Sequence, residues 1–84
     1  MSNQLKKKKF LKLEYLRKKY GYSQDDMGAF LGYSGRNRRG TYSAKVNRRA
    51  SFTFDEMFII LNKLNEKAKK AGDPELTLND IFFD

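Results

Sequence analysis

The 84-residue chain has no cysteine and no histidine, and its one proline is Pro74. Without thiols or imidazoles there is no disulfide, no Cys- or His-centred catalytic triad and no zinc site of the usual ligand types. Freedom from disulfides fits a cytoplasmic location. No apolar run approaches the roughly 20 residues of a membrane span, and the N-terminus lacks the apolar centre of a signal peptide, so no membrane partner is expected. No strand signal is found, and no glycine-rich loop follows a strand, which leaves a nucleotide-phosphate cradle without context. The acid pairs Asp25-Asp26 and Asp55-Glu56 fall at helix starts, where capping explains them better than a carboxylate-only magnesium site does. The expectation is a protein that is not an enzyme, with no cofactor, no metal and no small-molecule substrate.

What is abundant is positive charge, with 18 Lys/Arg against 10 Asp/Glu and a formal net charge of +8. The excess is one-sided. Residues 1–20 carry eight Lys/Arg and one Glu, residues 21–54 carry six and two Asp, and residues 55–84 carry four Lys against seven acids. Cationic charge confined to the N-terminal two-thirds is the electrostatic footprint of a polyanion partner, the bland alternative being a solvated basic face. The length suits a single domain, residues 1–84, with a basic N-terminal segment over 1–9 and a core of marginal stability.

Helical signals follow one another along the chain. Phe10, Leu13, Leu16 and Tyr20 recur at three or four residues and predict a first helix with one buried stripe, ended by Gly21. Lys12, Glu14, Arg17, Lys18 and Lys19 lie mostly off that stripe, with Glu14 and Lys18 an i,i+4 pair. Before it, the run Lys6, Lys7, Lys8 and Lys9 reads either as a basic arm or as a frayed helix end kept soluble by charge. Ser23 with Asp26 forms a capping box, Tyr22 and Met27 can clasp across it, and Met27, Phe30 and Leu31 point inward until Gly32 stops the second helix. Gly35 to Gly40 encloses Arg36, Asn37, Arg38 and Arg39 in a surface segment, either a basic loop or an early start of the next helix.

The third helix, about Gly40 to Arg48, is expected to anchor through Tyr42 and Val46 while Thr41, Ala44 and Lys45 face outward. Thr53 and Glu56 cap a long helix with a stripe of Phe54, Met57, Phe58, Leu61, Leu64 and Ala68. Ile59 and Ile60 widen that stripe, which favours an enclosed helix over a subunit contact. Gly72-Asp73-Pro74 makes a turn, Thr77 and Asp80 repeat the cap, and Ile81, Phe82 and Phe83 are expected to be buried either on the long helix or across a dimer.

Ser23-Gln24-x-x-Met27-x-x-Phe30-Leu31-Gly32-Tyr33-Ser34 resembles the first half of the helix-turn-helix in lambda-repressor-like (Cro/repressor type, Xre-like) DNA-binding proteins. Thr41-Tyr42-Ser43-Ala44-Lys45-Val46-Asn47 is similar to that family's recognition helix, which often ends in Asn-Gly, and the helices after Phe52 and Leu76 fit its last two. The resemblance covers about three-quarters of the chain and rests on order and spacing. The sequence departs from the pattern twice: Gly28 stands where alanine is usual, and the interval from Ser34 to Asn47 is about one helical turn longer.

The resemblance implies an all-α, five-helix helix-turn-helix domain that binds double-stranded DNA as a phage-type transcriptional regulator, often as a homodimer. Thr41 and Ala44 would meet thymine methyls, and Lys45 guanine acceptors or phosphate. Gln24, which matches the family's phosphate-contacting glutamine, would join Arg36, Asn37, Arg38, Arg39, Asn47, Arg48 and Arg49 on the backbone. Rival readings are a basic RNA-binding protein and an antirepressor- or antitoxin-like module that meets a protein partner through Ile59, Ile60, Phe82 and Phe83.

Overall fold

The computed structural model describes residues 9–83, and among them all regular secondary structure is helical. Five helices follow in order: α1 (Leu11–Lys19), α2 (Gln24–Phe30), α3 (Asn37–Val46), α4 (Phe54–Ala71) and α5 (Leu78–Phe82). All three predicted capping boxes form. Ser23, Thr53 and Thr77 each accept from the N–H three residues on, and Asp26, Glu56 and Asp80 each accept the cap residue's own N–H. Each box satisfies two backbone donors that a helix start leaves unpaired.

The core collects Leu13 and Leu16 from α1, Met27 from α2, Tyr42 and Val46 from α3, Ile60 and Leu64 from α4, and Ile81 and Phe82 from α5. Phe10, Phe52 and Phe82 meet edge-on with ring centres 5.4 to 5.8 Å apart, so the start, middle and end of the described chain converge on one aromatic cluster. The N–H of Phe10 donates to the Val46 carbonyl (3.0 Å), tying the entry of α1 to the end of α3. Asn65 fixes the turn before α5 by bonding both the N–H and the carbonyl of Leu76.

Two expectations about α4 are corrected. Its inward register runs through Ile60, Leu64 and Ala68, leaving Phe54 70% and Phe58 48% exposed, with Ile59 also at the surface. The helix is therefore not enclosed: α5 and α2 cover one side of it, and eighteen residues of helix present more apolar width than they can bury. Phe83 is not buried on the long helix and is exposed in the single chain, whereas Ile60 and Phe82 from the supposed protein-binding flank belong to the core.

The segment after Ser34 is also settled. Helix α3 begins at Asn37, and Arg36 before it already has helical φ and ψ (−68°, −16°), so Asn37 to Gly40 add a turn of helix in place of a basic loop. Gly28 makes room for it. A Cβ built on Gly28 would lie 2.7 Å from the Arg38 Cα and closer still to its carbonyl, so the helices meet backbone to backbone.

Helix α3 ends earlier than expected, at Val46, in a Schellman closure with Arg48 N–H on the Lys45 carbonyl (3.1 Å) and Arg49 N–H on the Ala44 carbonyl (2.8 Å). That closure puts Arg48 at φ 63°, the one positive φ among the described non-glycine residues.

Candidate nucleic-acid interface

The orientation of α3 is set from below by a buried polar network. The Arg17 guanidinium grips the Glu14 carboxylate through two bonds (Nε to Oε2, 2.9 Å; Nη2 to Oε1, 2.8 Å) and donates a third to the Tyr22 carbonyl at 2.7 Å. The Tyr42 hydroxyl donates to Glu14 Oε2 at 2.8 Å. One carboxylate thus joins α1, the entry of α2 and the core-facing side of α3. Burial raises the Glu14 pKa, but the bonds from Arg17 and Tyr42 outweigh it and hold the carboxyl below its ordinary value. Burial, with the Glu14 charge second, pushes the Tyr42 hydroxyl far upward. The expected Glu14–Lys18 pair is replaced by this Glu14–Arg17 pair, because Arg17 shares the inward edge of α1 with Glu14 while Lys18 is exposed.

Lys45 is the main correction to the expected site. Its side chain turns inward and is only 10% exposed. The ammonium donates to Glu56 Oε1 and to the Ser51 carbonyl, both at 2.9 Å, and lies within 6.0 Å of the Tyr33 and Phe52 ring centres. Glu56 also accepts from the Tyr33 hydroxyl (2.7 Å) and from the Thr53 N–H (3.0 Å), so the acid that caps α4 also anchors α3. Burial opposes its ionisation, yet those bonds keep the Glu56 carboxyl below the usual range. Lys45 is committed within the fold, with its ammonium turned away from the outer face of α3.

The remaining positions on α3 sort by helical geometry. With Tyr42, Lys45 and Val46 inward, Asn37, Gly40 and Ala44 fall on the outward stripe, Asn37 and Gly40 exposed and Ala44 half-buried. Arg36 is exposed just before the helix, and Thr41 is half-buried on the stripe's flank. Asn47, the C-cap residue, spends its amide on the Ser43 carbonyl (2.9 Å) and hydroxyl (3.2 Å), which closes the helix end rather than projecting toward a partner.

Around this stripe the cations take different positions. Arg39 is exposed and shares a polar cleft of about 470 Å³ with Gln24, Lys9 and Lys18. Gln24 donates weakly to Glu14 (3.3 Å), so its carboxamide is oriented from within the network. Arg38 is half-buried and pairs with Asp25 at 3.5 Å, and Asp25 lines the same cleft as Gln24 and Arg39. Arg48 is stacked on Phe10, its guanidinium carbon 3.8 Å from the ring centre, and Arg49 is exposed beside it. Lys9, the last of the lysine run, is exposed in that cleft; Lys6, Lys7 and Lys8 lie outside the described residues.

The structure therefore brings Gln24 and Arg39 together, keeps Arg36, Asn37 and Arg49 at the surface, and withdraws Lys45. Sequence reasoning missed Lys18 as a lining residue of the cleft and Glu14 and Arg17 as the groups that orient it. The visible signal was an acid and an arginine three apart on α1, the spacing of a helical pair. Among the described residues, no helix is long and apolar enough to cross a membrane. Compared with protein-family models, characterised proteins and solved structures, the chain matches none.

Proposed function

We propose that this protein is a cytoplasmic, sequence-specific binder of double-stranded DNA that regulates transcription, a phage-type repressor in mode of action, with α3 entering the major groove. The observation that carries the reading is the division of α3: Tyr42, Lys45 and Val46 are fastened inward, an outward stripe of small or polar side chains is left, and Arg36, Arg39 and Arg49 are exposed at its start, on its first turn and beyond its end. A helix with an uncharged outer stripe and cations near its two ends suits a groove whose floor is read by contact and whose walls are phosphate. The order of helices and the resemblance of residues 23–47 to lambda-repressor-like proteins support the same assignment. Occupying an operator would block polymerase without catalysis, and pairing of two copies on a palindromic site is the expected arrangement.

Selection of bound sequences from random duplex DNA tests this. The proposal expects a consensus, palindromic if two copies bind, that a structured RNA does not compete away; failure to enrich any sequence, or preference for the RNA, rejects it.

A second reading, a module that sequesters another protein, draws on the exposed Phe54 and Phe58 of α4. It expects a heterocomplex formed without DNA, and DNA affinity that is weak even at low salt.

A further inference from the structure

Base reading was expected from Thr41, Ala44 and Lys45, yet Lys45 is held by Glu56 and Thr41 and Ala44 are half-buried, whereas the turn that the sequence adds at the start of α3 carries the exposed Asn37. Along the outward stripe the side chains differ sharply in what they can recognise. Gly40 and Ala44 carry no polar atom, and Asn47 is bonded to Ser43. Asn37 is exposed, and its side chain makes no hydrogen bond to any described residue. Its own N–H is bonded to the Ser34 carbonyl (3.3 Å), so the carboxamide stands on an ordered backbone. The base of that turn is fixed as well, since the Arg38 carbonyl rests against Gly28. A Cβ on Gly40 would meet nothing within 4 Å, which leaves the stripe shallow beside Asn37.

We infer that Asn37 is a base-reading residue, and that its carboxamide recognises adenine. The side-chain oxygen accepts from the adenine N6 amino group while the side-chain NH₂ donates to N7, a bidentate match that guanine, with acceptors at both positions, does not offer. The role expected from the sequence, a phosphate contact, fits Arg36 and Arg39 better because they carry the charge. This assignment rests on the DNA-binding reading and specifies which pair within the site is read by the added turn.

The test compares sequences selected from random duplex DNA by the full chain, by Asn37→Ala and by Asn37→Asp. Wild type is expected to fix one A·T pair per bound copy. Asn37→Ala should keep the rest of the consensus and lose about 5- to 150-fold discrimination at that pair alone. Asn37→Asp, which can only accept, should shift the preference at the same pair toward cytosine, whose N4 amino group donates. The side chain is exposed and unbonded within the described fold, and far-ultraviolet circular dichroism of both variants should match wild type. The inference is overturned if both variants select the wild-type consensus, or if they weaken binding equally on consensus and random DNA. Should wild type select no sequence at all, the DNA reading itself fails and takes this assignment with it.

Discussion

The backbone carbonyl of Arg38 rests against Gly28, with no room for a side chain between them. The two departures of this sequence from the pattern it resembles are thereby one feature. Helix α3 starts a turn early, that turn leans on α2, and the contact requires the residue beneath it to lack a Cβ.

Replacing Gly28 with alanine gives a direct check. Helix propensity alone would favour alanine by about 1 kcal/mol, since Gly28 lies inside α2. The collision with Arg38 should reverse the sign, for a net loss of roughly 1–3 kcal/mol in urea unfolding. A neutral or stabilised variant would mean the helices are not in backbone contact. Gly40→Ala is the matched control, because the added methyl meets nothing, and it should stabilise by up to about 1 kcal/mol.

Much of the fold was legible in the sequence because it was written locally. Ser23/Asp26, Thr53/Glu56 and Thr77/Asp80 announce helix starts within four residues, and all three boxes form. What escaped was set at longer range. The inward register of α4 depends on what α2 and α5 cover, so a stripe beginning at Phe54 was as regular as the observed one through Ile60. Lys45 resembled a groove-facing residue by spacing on its own helix; its partner Glu56 lies eleven residues on and in another helix.

The Lys45–Glu56 pair should behave as structure. Lys45→Ala leaves a mostly buried carboxylate short of its countercharge, and a cost of about 3 kcal/mol in stability is expected. Affinity measured on the folded fraction should fall equally on specific and random DNA, if at all. Loss of preference at one base pair would return Lys45 to the reading surface.

Acid sensitivity follows from Glu14 and Glu56, whose carboxyls are both held below the usual 4.5 in the fold. Depressed folded pKa values mean that unfolding takes up protons in acid. Their contribution is complete above the unfolded pKa near 4.5 and is lost as the pH falls through the lower folded values. Urea midpoints should hold steady from pH 7 to about 5 and then drop, and Glu14→Gln should flatten part of that drop. A midpoint indifferent to pH between 5 and 3 would contradict the network.

Arg48 supplies a comparison of two opposing effects at one position. Its left-handed backbone favours glycine, while its guanidinium over Phe10 favours arginine. Arg48→Ala loses the stack and keeps the strain, so Arg48→Gly should be the more stable of the two by about 1 kcal/mol in thermal unfolding. Equal stabilities would argue against the left-handed closure of α3.

On the proposed function, the cationic edge around α3 would hold a nucleic acid duplex by its phosphates. The most direct measurement of this is the affinity of the full chain for duplex DNA across a series of salt concentrations. Neutralising five to eight phosphates predicts a log–log slope of about −5 to −7, reduced by roughly one for each of Arg36→Ala and Arg39→Ala. A slope near zero, or one that neither substitution changes, would contradict it.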